Sequence, residues 1–148
     1  YKRQIFFFYL PFLELHLQFE KRKIKKEYIA ILDGVLDRKK GTIVLPLTID
    51  YNDRPRQMVC FEKGKYAETK FKLLSINKGL SRVRFFPKTG RSHQLRAHSA
   101  FHNGLNIAIL GDDLYGKQLD RMYLHAEKLV FRHPETKEEL VVCAPAPF

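Results

Sequence analysis

The stretch Lys65–Lys88, KYAETKFKLLSINKGLSRVRFFPK, decides how this sequence folds. Tyr66, Glu68, Lys70 and Lys72 interleave with Ala67, Thr69, Phe71 and Leu73, the period of two that a strand with one wet face requires. Leu80–Lys88 alternates in the same way, and Asn77-Lys78-Gly79 supplies a tight turn, so the stretch predicts an antiparallel hairpin. Toward the N-terminus, Thr42–Ile49 (TIVLPLTI) is extended, with Pro46 placing it at a sheet edge or a bulge. Tyr28–Leu36 (YIAILDGVL) is rich in strand formers and breaks at Asp33-Gly34. Residues 11–27 predict a helix: Phe12, Leu15 and Phe19 follow the helical rhythm, and the basic run Lys21–Lys26 would end it, where cations suit the dipole. Toward the C-terminus, Ser92–Asn103 predicts a second helix stopped by Gly104, and Tyr123–His133 and Glu139–Cys143 predict late strands. The 148 residues therefore predict a single α+β domain, a mostly antiparallel sheet with flanking helices.

Residues 1–10 (YKRQIFFFYL) stand apart as an atypical N-terminal segment. The apolar run Ile5–Leu10 is far shorter than the roughly 20 residues needed to cross a bilayer, and no small-residue cleavage site follows it. A buried strand or an aggregation-prone edge is the expectation there.

Charge points to a partner. The chain has 27 Lys and Arg against 16 Asp and Glu, and residues 54–96 alone hold twelve basic groups against Glu62 and Glu68. A wet face of one sign repels itself unless a ligand compensates, so a polyanion is expected, without a choice between RNA and DNA. Cys60 and Cys143 lie in apolar strand contexts with no C-x-x-C spacing, which predicts buried, inert thiols in a reducing, cytoplasmic setting.

The densest chemistry is Pro87-Lys88-Thr89-Gly90-Arg91-Ser92-His93-Gln94-Leu95-Arg96-Ala97-His98. A strand ends, Gly90 permits a turn, and a helix begins whose free N–H groups, with Arg91, favour an anion. With a helix from Ser92, the residues Ser92, His93, Arg96 and Ala100 share one broad face while Leu95 turns to the core. Two readings of that face stay open: Arg96 held against a carboxylate or phosphate, or a surface helix whose His and Arg are solvated. His93, His98 and His102 raise the question of a metal, but no acidic or thiol partner stands at ligand spacing, so none is expected. Neither a G-x-S-x-G nucleophile elbow nor a phosphate-cradling G-x-x-x-x-G-K-[ST] loop occurs.

This segment closely resembles the P-x-T-G-R-[ST]-H-Q-[IL]-R-x-H motif of the RluA-type RNA pseudouridine synthases. Other landmarks follow in the same order: Lys25-Lys26-Glu27-Tyr28 resembles the family's K-x-Y segment and Gly64-Lys65-Tyr66-Ala67-Glu68-Thr69 its G-K-x-A-x-T strand. Gly111-Asp112-Asp113-Leu114-Tyr115-Gly116 resembles its G-D-x-x-Y-G turn, and Leu124-His125-Ala126, His133-Pro134 and Ala144-Pro145 complete the series. The likeness runs from about Phe19 to the end. Asn52–Gln57, before Val59-Cys60, is similar to the branch that modifies short stem-loops in transfer and ribosomal RNA.

The resemblance implies a mixed, mostly antiparallel sheet crossed by a cleft, RNA as partner, no membrane, and no cofactor or metal. It implies isomerisation of a flipped-out uridine by a carboxylate. Arg96 would pair with that carboxylate, Tyr28 would stack on or donate to the base, and Leu124 would floor the pocket. Lys88, Arg91, His93, Arg54, Arg56 and the basic face of 54–84 would hold RNA.

One departure matters. The family's H-R-L-D-x-x-T-S-G motif, with its nucleophilic aspartate, is found nowhere in the chain, and its place falls before Tyr1. A chain covering part of the catalytic domain, a fragment or a misread frame is the expectation, inactive alone, as a monomer or a swapped dimer. Alternatives are a non-catalytic RNA-binding module and, more remotely, a basic DNA-binding domain.

Overall fold

The computed structural model describes the backbone of residues 2–148 and the side chains from Pro11 onward. In chain order the elements are α1 (Lys2–Glu20), β1 (Lys25–Leu32), β2 (Lys40–Val44), β3 (Leu47–Ile49), β4 (Gln57–Val59), β5 (Glu68–Asn77), β6 (Leu80–Pro87), α2 (Gln94–Ala100), β7 (Leu124–Arg132) and β8 (Glu139–Cys143). Six strands form an antiparallel sheet in the order β2-β5-β6-β1-β7-β8, and β3 and β4 pair as a separate ribbon.

The β5–β6 hairpin is the one the alternation predicts. Phe71 faces Phe85 and Asn77 faces Leu80, and Lys78 and Gly79, at φ 49° and 77°, give the doubly left-handed turn whose twist matches paired strands. Thr69, Phe71, Val83 and Phe85 are buried, whereas Lys70 and Lys72 are exposed. The inner side chains meet Ala30, Leu32, Ile43, Leu45, Leu95, Leu105 and Ile109 in the main core, so α2 and the loops after it cover this face. Pro46 lies between β2, an edge strand, and β3, as its missing N–H requires.

The two helices differ from their expected bounds. Residues 2–10 are helical rather than extended, while their burial lies outside the described residues. Helix α1 stops at Glu20, not at residue 27. Arg22 is left-handed at φ 54°, and the N–H groups of Lys23 and Arg22 donate to Gln18 and Phe19 carbonyls at 2.9 and 3.1 Å, a Schellman stop. Ile24 is buried, and Lys25 and Lys26 belong to β1, so the basic run crosses a turn instead of capping a helix. Helix α2 starts at Gln94, because His93 is left-handed at φ 50°, which leaves Ser92 and His93 outside the helix. Cys143 is exposed at the end of β8 rather than buried.

A buried polar chain ties the motif to the sheet. Gln94 Nε2 donates to the Glu68 carbonyl at 3.0 Å and to Thr69 Oγ1 at 2.9 Å. Its Oε1 accepts from Thr89 Oγ1 at 2.7 Å and from the Arg91 N–H at 3.0 Å. His98 Nε2 lies 3.1 Å from the Leu45 carbonyl, which can only accept, so Nε2 carries the proton and Nδ1 accepts from Thr69 Oγ1 at 3.0 Å. Both ring nitrogens of His98 are thus occupied within the fold. Thr69, Thr89, Gln94 and His98 are all buried, and unmade bonds among them would carry their full desolvation cost.

Gln94→Ala strands several of these groups and is expected to lower the unfolding free energy by about 2–3 kcal/mol in urea titrations. Burial pushes the His98 pKa down, opposed in part by its bond to the Leu45 carbonyl. The unfolded imidazole takes a proton that the folded one refuses, so this contribution is complete above about pH 6.5 and fades as pH falls below it. Denaturation midpoints between about pH 8 and pH 5 should fall less steeply for His98→Gln than for the parent.

Candidate active site

Two side chains of the motif outside the buried chain, His93 and Arg96, meet the 111–116 turn. Arg96 donates from Nε to Asp112 Oδ2 at 2.8 Å, and from Nη2 to Asp112 Oδ1 at 2.6 Å and Asp113 Oδ1 at 2.7 Å. Asp112 is fully buried, and its Oδ1 also accepts the N–H groups of Leu114 and Tyr115 at 2.9 and 3.0 Å. Gly111 makes the turn possible: it sits at φ +78°, and a Cβ there would lie 1.8 Å from the Arg121 carbonyl oxygen. Burial alone would raise the Asp112 pKa, but Arg96 and the two N–H donors outweigh it and hold the carboxyl below the usual range.

Tyr115 organises a cation cluster beside this pair. The guanidinium carbons of Arg56 and Arg96 lie 5.5 and 5.4 Å from its ring centre, and His93 and Phe101 meet the ring edge-on at 5.8 and 5.9 Å. Its hydroxyl accepts the Gln57 N–H at 2.6 Å and lies 3.1 Å from His93 Nδ1. Burial, then the charge of Arg96, pushes the His93 pKa down, so the ring is neutral at physiological pH. Arg56 is anchored further by Asp53 at 2.8 Å and by the Leu114 carbonyl.

Tyr28 and Leu124 lie together elsewhere on the sheet. Tyr28 pairs with Ala126 and Leu124 with Ala30, so the two are diagonal neighbours on the core-facing side of β1 and β7, packed against the margin of the core. Beside them is a notch of about 130 Å³ lined by Lys26, Tyr28, Ala126, Leu129, Val142 and Ala144.

Lys88 and Arg91 belong to a third group. A hollow of about 330 Å³ between the end of α1 and the 88–91 turn is lined by Arg22, Lys26, Lys88 and Arg91, with Glu20 at its side. Gly90 leaves room there, since a Cβ would come within 3.2 Å of Lys26 Nζ. Lys26 has no acidic partner among the described residues, and burial pushes its pKa down. Lys88 reaches Glu68 at 3.2 Å, Tyr66 donates to the same carboxylate, and Arg91 Nε donates to the Tyr66 carbonyl at 3.0 Å. Arg54 joins none of these groups: it is exposed, 5.0 Å from the Tyr51 ring.

The structure thus brings Arg56, His93 and Arg96 together, sets Tyr28 beside Leu124, and places Lys88 with Arg91. For Arg96 the carboxylate partners it shows are inside the chain, at Asp112 and Asp113, whereas the sequence reading looked outside it. Nη1 of Arg96 makes no hydrogen bond among the described residues. Arg22, Lys26, Asp112 and Tyr115 had no role in that reading. The G-D-x-x-Y-G block was visible, but nothing in it says which motif it meets.

Asp112→Asn removes one of the two carboxylates paired with Arg96 in a site where that guanidinium is 14% exposed, leaving Asp113, and should cost about 2–3 kcal/mol of stability. Because the folded carboxyl titrates below its unfolded value, the pair stabilises fully above about pH 4 and loses that contribution as pH falls through the lower folded value. Acid-unfolding curves of the variant should lack this component.

Residues 12–101 match the family model described as RNA pseudouridylate synthase. Over 141 residues the chain is 45% identical to the dual-specificity RNA pseudouridine synthase RluA of Pasteurella multocida, covering 91% of this chain and 63% of that protein. It is 39% identical to the Escherichia coli K12 protein of the same name over 141 residues, with the same coverage of 91% and 63%. Human RNA Pseudouridylate Synthase Domain Containing 1 has a similar structure, with a TM-score of 0.76 at 29% identity over 90% of this chain and 59% of that one. The chain therefore spans about three-fifths of the length of these relatives. With the Thr89–His98 motif bound into the sheet and its Arg96 locked to the 111–116 turn, the likeness extends from residues to architecture, and the chain belongs to the RluA-type RNA pseudouridine synthase family.

Proposed function

We propose that these 148 residues hold and position RNA for the conversion of uridine to pseudouridine in a ribosomal or transfer RNA stem-loop, with the nucleophilic aspartate supplied from outside them. The observation that carries this reading is Arg96: Asp112 and Asp113 hold its Nε and Nη2, which fixes the direction of the remaining Nη1 donor. A carboxylate meeting that edge would accept a charge-assisted hydrogen bond from Nη1, which favours its ionised form. The reaction breaks the N1–C1′ bond, turns the uracil and forms a C5–C1′ bond; the C5 proton leaves and N1 gains one, so nothing is oxidised or reduced.

Reaching C1′ requires the nucleotide out of its stack. Tyr28 would lie against the flipped base and Leu124 would floor its pocket. Lys88 and Arg91, joined by Arg22 and Lys26, supply four cations in one hollow for phosphates. Arg54, Arg56 and neutral His93 would contact flanking nucleotides. A non-catalytic RNA-binding module, which needs only the cations gathered at the 88–91 hollow, is the second reading.

The 148-residue chain should bind stem-loop RNA in preference to a DNA stem-loop of the same sequence, yet release no tritium from C5-tritiated uridine RNA. A chain extended by the aspartate-bearing segment of a relative should release it. Turnover by the 148 residues alone would overturn this assignment, and release by neither form would favour the binding module. Lys88→Ala and Arg91→Ala should each weaken binding across RNA sequences and reduce the salt slope by about 1.

A further inference from the structure

The main sheet carries a second basic surface on the side away from the core. Along β5, β6 and β2, Phe71, Val83, Phe85 and Ile43 turn inward beneath α2. Their alternating neighbours Lys40, Lys70, Lys72 and Arg84 must then project from the opposite face. In register, Lys40 stands directly across from Lys72, and Lys72 directly across from Arg84. Like charges opposed in this way destabilise a sheet.

The fold compensates only one end of this row. Arg84 reaches Glu127 at 2.7 Å and Glu27 at 3.7 Å. Lys40, Lys70 and Lys72 are exposed and make no ion pair among the described residues. Glu68 lies near Lys70, but its carboxylate is already bound by Tyr66 and Lys88. Arg82 is excluded from the row, because it is engaged by the ring and carbonyl of Phe148.

The geometry suits an extended polyanion rather than a single small ion. With strands about 4.8 Å apart and about 3.4 Å per residue, Lys40, Lys72 and Arg84 span about 10 Å across the sheet, and Lys70 and Lys72 lie about 7 Å apart along it. Three exposed lysines at such spacings have the character of a contact with phosphate backbone that ignores sequence. Tyr28 and Leu124 lie on the core-facing side of the same sheet, so a nucleotide between them cannot also touch Lys72.

We infer that Lys40, Lys70 and Lys72 form a second RNA-backbone surface, which grips a helical segment of the substrate away from the target nucleotide. This rests on the reading of the chain as RNA-holding and divides its basic residues between two faces. The test is the variant Lys40→Gln/Lys70→Gln/Lys72→Gln, with Arg91→Ala in parallel, titrated against a hairpin of long stem and against its minimal loop. The triple variant should keep or raise its thermal midpoint, since repulsion is relieved. It should bind the long-stem RNA about tenfold more weakly with a salt slope smaller by about 3, and the minimal loop unchanged. Arg91→Ala should weaken both RNAs alike. If Arg91→Ala weakens binding but the triple variant does not, the second surface falls and the RNA-holding reading stands. If neither changes binding to either RNA, both fall. Weakened binding of the triple variant to an acidic polypeptide but not to RNA would also overturn the assignment.

Discussion

Gln94 closes a hydrogen-bond chain that reaches from the Thr89 hydroxyl through Thr69 to His98 and the Leu45 carbonyl. Everything the candidate site presents depends on that closure. Through it the 88–91 turn is tied to α2, a helix of only seven residues, too short to hold itself together by propensity. Buried amide and imidazole groups have no water to fall back on, so the arrangement is satisfied as a whole or not at all. The residues between the buried ones, Lys88, Arg91, His93 and Arg96, are thereby set in fixed directions.

Arg96 shows how orientation and charge are separated. A buried ion pair is weak grounds for stability, since desolvation offsets much of its attraction. What Asp112 supplies is geometry: it grips two nitrogens of a planar fork, and its Oδ1 is held by the N–H groups of Leu114 and Tyr115. Tyr115 then stands beside Arg96 and Arg56 alike, so residues far apart in sequence share one aromatic support.

The sheet distributes the remaining charge. Its core-facing side places Tyr28 next to Leu124 at the margin of the core, its end gathers Arg22, Lys26, Lys88 and Arg91, and its outer face carries the exposed lysines of β2 and β5. A net charge of +11 is therefore resolved into surfaces that can act on different parts of one long anion.

By itself the sequence determined the hairpin, its turn and the edge at Pro46, because strand alternation and turn chemistry are local properties written in neighbouring residues. It also determined the family, through motifs whose order survives without any knowledge of space. It misjudged where α1 ends and where α2 begins, since Arg22 and His93 adopt left-handed backbones that no composition rule anticipates. Only the tertiary structure decided that Thr89, Gln94 and His98 are internal supports while Arg96 meets Asp112, and that Lys40 aligns with Lys72. Those pairings depend on strand register and on a turn sixteen residues downstream of Arg96, and hydrogen bonds and like-charge repulsion take effect only at distances that the folded chain sets.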